Sequence, residues 1–306
     1  MNHTDQITED HFIPADVPHD KTDTFKNNFN GATGNTGRLM LFAGDQKLEH
    51  CNNDFYGQGI SPDDADPRHL FQIASEAHIG VFATQLGLMS RYALQYPDVP
   101  YLVKLNSKTN LVSFKQRDPL SRAWFTVDQV VKFAESTGLK IAGVGYTVYP
   151  GSDYEAEMLK EAAQIVHQAH LNGLFAVLWM YPKGKAVSDE HDPHLIAGAA
   201  GIGACLGADF VKLKVPEKNG EFNPDMMNEI VAAAGNTGVL CEGGTKENET
   251  LFLQQLHDQI HLGGARGSGT GRNIHQRSLQ DSIKMANAIH AITLENKTVE
   301  EAVQIL

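Results

Sequence analysis

The run IAGVGYTV at 141–148, the segment 153–172 and the run LFAVLWM at 174–180 together decide how this chain folds. Both flanking runs are apolar almost throughout, without alternation of polar and apolar residues. Strands that read this way are buried on both faces, as in a parallel sheet. Between them Met158, Ala162, Ile165, Val166 and Ala169 recur at helical spacing and form one apolar stripe. Two strands of the same direction need such a crossover helix to join them.

The same alternation repeats outward in both directions. Apolar runs at 38–43, 79–83, 101–105, 208–213, 238–241 and 260–263 bring the set to eight. Helical patterns occupy 192–206, 223–234 and 247–256, and helices at 275–295 and 298–306 close the circuit. Eight strands with intervening helices predict an α/β fold, the (β/α)8 TIM barrel. Long connections at 49–66 and 106–125 are expected over its active-site face. Residues 1–36, with Pro14, Pro18 and several Asn and Gly, read as an irregular or partly ordered arm, and 37–306 as a single catalytic barrel. The alternative, a doubly wound sheet, wants a GxGxxG turn after its first strand, and Gly44-Asp45-Gln46-Lys47 is not one.

Composition narrows the function. The chain has 306 residues and is 42% hydrophobic, enough for a full-sized core. Its net charge of −12 and the lack of a Lys/Arg cluster speak against a nucleic-acid partner. Cys51, Cys205 and Cys241 are odd in number, form no CxxC pair and read as small core residues in a reducing compartment. The polar first residues lack a signal-peptide core, and no apolar run reaches the ~18 residues of a membrane span. These features describe a cytoplasmic protein without a membrane partner.

In a barrel, chemistry sits at the C-terminal ends of the strands. Those ends carry Asp45, Lys104 with Asn106, Tyr149, Trp179 and Tyr181, Lys212 with Lys214, and Glu242-Gly243-Gly244. Lys212 stands inside an apolar run, so it must pair, lose its charge or project into a cavity. Burial, or a nearby cation such as Lys104 or Lys214, lowers an ammonium pKa and yields the neutral amine that attacks a carbonyl. A strand-end lysine can equally snorkel to solvent or pair with a core carboxylate. Gly243 and Gly244, with Gly271 before Arg272, let backbone N–H groups approach an anion, and Arg272 adds a bidentate charge. Glycines also serve plain tight turns, but two such loops after the last two strands favour phosphate. Trp179 and Tyr181 share a strand face, where a tyrosine can relay a proton or simply pack. Asp45 reads as a proton acceptor or as the ion-pair partner of a barrel lysine. His191, His194 and His275 fit no metal-ligand spacing and read as scattered surface histidines.

Five pieces give the chain a resemblance: LFAGD at 41–45, YPKG at 181–184, GADFVK at 207–212, Gly243-Gly244, and GRNI at 271–274. In this order they resemble the archaeal-type class I fructose-bisphosphate aldolases, of the superfamily that also holds deoxyribose-phosphate aldolase. The resemblance implies Lys212 as Schiff-base lysine, Tyr181 as proton donor positioned by Trp179, and Asp45 as acid/base or orienting carboxylate. It implies a phosphate site at Gly243, Gly244, Gly271 and Arg272, with Lys104 and Lys214 in support. It further implies an aldehyde-lyase that needs no metal and no other cofactor, acts on a sugar phosphate, and assembles as a homo-oligomer. Two positions depart from the family: Gln46 replaces its usual His, and Glu242 its small residue before the Gly-Gly pair, where Lys246 could neutralise it. The expected reaction is reversible cleavage of fructose 1,6-bisphosphate. The alternatives are an aldolase or transaldolase for another sugar phosphate, a non-catalytic sugar-phosphate-binding barrel, and a metal-dependent aldolase.

Overall fold

The computed structural model describes residues 13–112 and 118–306. Eight parallel strands close on themselves in sequence order: β1 Leu39–Ala43, β2 Val81–Gln85, β3 Tyr101–Lys104, β4 Ile141–Val148, β5 Phe175–Met180, β6 Phe210–Leu213, β7 Gly238–Glu242 and β8 Gly267–Thr270. β1 pairs with β8 to seal the ring. The expected (β/α)8 barrel is therefore the fold.

Side chains that point into the ring, among them Leu39, Leu41, Val81, Leu102, Val177 and Leu240, form an inner core. Those that point outward pack under the surrounding helices. Inward and outward positions alternate along each strand, so both faces are buried and the runs read as continuously apolar. The crossover stripe proves to be the helix Glu155–Leu171, with Met158, Ala162, Ile165, Val166 and Ala169 all buried. Among the described residues no helix is long and apolar enough to cross a membrane.

Three expectations fail for physical reasons. The run at 260–263 is no strand: Asp258–Leu262 is a π-helical turn, and β8 follows it as Gly267-Ser-Gly-Thr270. β8 has no apolar signature because its glycines are sterically required. A Cβ on Gly267 would stand 1.9 Å from the Leu39 carbonyl oxygen, and one on Gly269 would stand 2.6 Å from Cε of Lys212. Next, the arm read as irregular or partly ordered, of which residues 1–12 lie outside the described residues, carries helix α1, Thr22–Thr33, whose Phe25 and Phe29 are buried. Phe29 stacks on Phe210 at 5.5 Å and meets Phe175 edge-on at 6.2 Å, so α1 plugs the N-terminal end of the barrel. Its Asn and Gly content hides the helix from propensity, and tertiary packing outweighs that weak preference. Finally, only Cys241 of the three cysteines is a core residue; Cys205 is exposed and Cys51 half-buried.

Candidate active site

The C-terminal strand ends surround a cavity of about 210 Å³. Asp45, Trp179, Tyr181, Lys212, Gly243, Gly244, Gly271 and Arg272 all line it. Lys212 pairs in register with Trp179 on β5 and Leu240 on β7, both of which face inward. Its side chain therefore enters the ring, and the missing Cβ of Gly269 gives it room.

The two buried lysines differ sharply. Lys104 is fully paired: its Nζ donates to Thr147 Oγ1 at 2.7 Å and to the Asn106 carbonyl at 3.1 Å, and lies 3.5 Å from Asp45 Oδ2. Lys212 has no hydrogen bond or ion pair among the described residues, only the face of Trp179, 5.4 Å from its Nζ. Trp179 also has Lys104 Nζ 4.6 Å from its ring, so the indole lies against both cations. Gly145 on β4 makes this possible, since a Cβ there would stand 2.5 Å from the indole. Burial drives the Lys212 pKa below the usual lysine value; the carboxylates of Asp45 and Glu242 oppose the shift, and Lys104 adds to it.

Tyr181 faces the same cavity. Its pKa is pushed well above the ordinary phenol value, first by burial and then by Glu242, Asp45 and Glu49, so it keeps its proton. Asp45 is buried, with Oδ2 toward Lys104 and Oδ1 without a hydrogen-bond partner. Lys214 is distinct from Lys212: it lies past the end of β6 and pairs with Glu190 at 2.6 Å. Lys183 pairs with the other oxygen of the same carboxylate at 3.6 Å.

The two glycine loops are physically joined. Asn273 Nδ2 donates to the Gly243 carbonyl at 2.7 Å and to the Thr245 carbonyl at 2.9 Å. Gly244 adopts φ +63°, which glycine tolerates at no steric cost. Arg272 Nε has no hydrogen bond and lies 3.7 Å from Asp54 Oδ2. Glu242 lines the cavity, but Lys246 does not neutralise it: Lys246 Nζ is held by the carbonyls of Gly59 and Gln276.

Two polar residues in or beside the site were not singled out as such from the sequence. Glu49 lies one turn after Asp45 on the short helix α2, Gln46–Glu49, and accepts a hydrogen bond from Tyr149 at 3.0 Å. Helical spacing from Asp45 was the available signal. His275, read as a surface residue, is fully buried at the end of the short helix Arg272–His275. No local signal marks it, because its partners are distant in sequence.

With this geometry established, comparison identifies the relatives. Residues 39–277 match the model of the DeoC/LacD family aldolases. A Methanocaldococcus jannaschii protein named fructose-bisphosphate aldolase/6-deoxy-5-ketofructose 1-phosphate synthase is 55% identical, covering 96% of this chain and 93% of its own. The solved structure of a fructose-bisphosphate aldolase from Slackia heliotrinireducens superposes with a TM-score of 0.94 at 52% identity, covering 98% of this chain and 95% of that one. An archaeal fructose-1,6-bisphosphate aldolase, solved with its catalytic Lys covalently bound to the carbinolamine intermediate of the substrate, gives a TM-score of 0.75 at 32% identity, covering 88% and 99%. This chain belongs to the DeoC/LacD family of aldolases, alongside the archaeal-type class I fructose-bisphosphate aldolases.

Proposed function

We propose that the protein is a Schiff-base aldolase in which Lys212 attacks the C2 carbonyl of fructose 1,6-bisphosphate. The observation that carries this reading is a buried, unpaired amine at the barrel mouth, flanked by a protonated phenol and a carboxylate with one free oxygen. The amine adds to the ketone, and the carbinolamine loses water to give an iminium. Asp45 accepts the C4 hydroxyl proton as the C3–C4 bond breaks. The bonding electrons move into the iminium, leaving an enamine and releasing glyceraldehyde 3-phosphate. Tyr181 protonates the enamine carbon, and water then releases dihydroxyacetone phosphate. The iminium is the electron sink, so this scheme calls for no metal. The joined glycine loops and Arg272 hold a phosphate, and this remote binding fixes the reacting carbon.

A second reading keeps every step up to the enamine. The name of the M. jannaschii relative includes synthesis of 6-deoxy-5-ketofructose 1-phosphate. A three-carbon enamine yields that product if it adds to a three-carbon 2-oxoaldehyde whose methyl becomes C6. Glu242, a second carboxylate in the cavity, is the feature that favours an acceptor other than a phosphorylated aldehyde.

Borohydride reduction in the presence of dihydroxyacetone phosphate tests the common core. The expected result is one adduct, on Lys212, found by peptide mass spectrometry. No adduct with this ketone or with fructose 1,6-bisphosphate, in folded protein, would sink both readings. Comparing the products formed from glyceraldehyde 3-phosphate and from methylglyoxal as acceptors separates the two.

A further inference from the structure

At the end of the barrel opposite Lys212, a second cavity of about 710 Å³ shares no lining residue with the catalytic one. His78, His290 and Glu295 all line it. Each offers one metal-binding atom, and the three atoms lie within 4.8 Å of one another. They come from two parts of the chain. His78 stands in the connection from the helix Arg68–Glu76 to β2, beside the N-terminal end of that strand. His290 and Glu295 belong to the helix Leu279–Glu295, the latter as its last residue. The two parts are already tied. The backbone N–H of His78 donates to Asn287 Oδ1 at 2.8 Å, and Asn287 lies about one helical turn before His290.

The three side chains are arranged as ligands that converge on a shared point. Nδ1 of His290 is buried and lies 3.2 Å from Glu295 Oε1, yet it makes no hydrogen bond among the described residues. At that distance only misalignment prevents one. Two donors on a tetrahedral zinc ion, each about 2.1 Å from it, stand roughly 3.4 Å apart, with lone pairs aimed at the ion and not at each other. The rings of His78 and His290 are 5.5 Å apart between centroids and inclined at 60°. Two imidazoles on one such ion put their centroids roughly 5 Å apart. His78 is exposed, so its ring is free to turn through the remaining distance.

Charge points the same way. The C-terminal end of a helix is partially negative and favours a cation. This helix ends on a carboxylate and has no basic residue in its last turn. Arg38 donates to Asn296 just beyond it, but Glu295 itself has no lysine or arginine partner among the described residues. Two imidazoles and one carboxylate suit zinc, whereas calcium and magnesium take oxygen donors.

We propose that His78, His290 and Glu295 form a site for a zinc-type divalent ion, which clamps the connection before β2 to the end of the helix Leu279–Glu295. Water fills the fourth position, toward the cavity. The ion sits at the far end of the barrel from Lys212 and takes no part in the carbonyl chemistry. Its role is to stabilise, because an ion bound by the folded chain alone raises the melting temperature.

The test titrates zinc into the full-length protein, first stripped of metal by a chelator that is then dialysed away. The wild-type protein is expected to bind one equivalent with a dissociation constant on the order of micromolar. At a hundredfold excess over that constant its melting temperature should rise by about 4 °C. His78→Asn and Glu295→Gln, both at exposed positions, should each weaken binding at least about tenfold and leave the melting temperature without zinc unchanged. His290→Asn should weaken binding as much; if it does not fold, the two exposed variants decide. Zinc binding that every one of these substitutions leaves unchanged would place the ion elsewhere and overturn the proposal. So would a wild-type protein that binds no zinc at about a hundred times the expected constant. Borohydride trapping on Lys212 should proceed equally with and without zinc, and a dependence on zinc would overturn the remote, stabilising role.

Discussion

Near the α1 plug the polar groups of Asp16, His170 and Asp209 are matched, whereas at the C-terminal end of the barrel some are left open. Near the α1 plug, His170 lies 2.7 Å from Asp16 and 3.1 Å from Asp209, and Asp209 also accepts from the backbone N–H of Ala176 at 2.7 Å. At the other end Lys212 has no polar partner among the described residues, Asp45 Oδ1 has none, and Arg272 Nε makes no hydrogen bond. Burying polar groups without partners costs stability. The contrast teaches where this fold tolerates that cost: at the strand ends that meet a cavity, where a substrate carbonyl, hydroxyl or phosphate can complete the missing bonds. The plugged end contributes stability and the open end chemistry, the division expected of a barrel.

That contrast can be broken by substitution. The largest effect is expected from Lys212→Met, which removes the nucleophile. Cleavage should fall at least about a thousandfold. The melting temperature should hold or rise, because an unpaired buried amine gives way to an apolar side chain of similar length. A clear loss of thermal stability would show that the open end is also structural.

Tyr181→Phe comes next. Proton transfer by a positioned side chain contributes roughly a hundredfold or more, so steady-state cleavage should drop by about that factor. Trapping of dihydroxyacetone phosphate on Lys212 should persist, since iminium formation does not use the enamine proton. Loss of trapping together with turnover would place Tyr181 in the earlier step.

At the plugged end Phe29→Ala should cost about 3–5 kcal/mol in chemical denaturation, as for other buried aromatics truncated to a cavity. The turnover of the folded enzyme should be unchanged. An altered turnover at full folding would couple the two ends.

The smallest effect sharpens the comparison through pH. Burial pulls the His170 pKa down, but its bonds to Asp209 and the charge of Asp16 outweigh this and leave it raised. Asp16 is lowered: its partial burial opposes the shift, and the two histidines, His167 and His170, prevail. A raised histidine contributes stability in full below its unfolded value of about 6.5 and loses it as pH rises through the higher folded value. A lowered aspartate contributes above about 3.9 and loses its share as pH falls through the lower folded value. The latch is thus strongest between roughly pH 4 and 6.5. Asp16→Asn should lower the melting transition more at pH 5.5 than at pH 9, by no more than about 1 kcal/mol, since Asp16 is partly open to screening solvent. Equal losses at both pH values would remove the charge argument.

Much of this was legible from residues in isolation. A lysine within the apolar run at 208–213 flagged Lys212, and period-two spacing put Trp179 and Tyr181 on one face. The eighth strand was not legible, because Gly269 is chosen to clear the Lys212 side chain rather than to fill a core. Helix α1 was hidden by its asparagines, and His275 by partners that come from far along the chain.

By itself, then, the amino-acid sequence determined the barrel and the residues offered at its mouth, because periodicity and side-chain type are local properties. Only the tertiary structure decided which lysine is paired with Asp45 and which is left open against Trp179. Those outcomes depend on pairings between strands and loops remote in sequence, and burial strengthens each pairing and penalises each omission in a way no local pattern records.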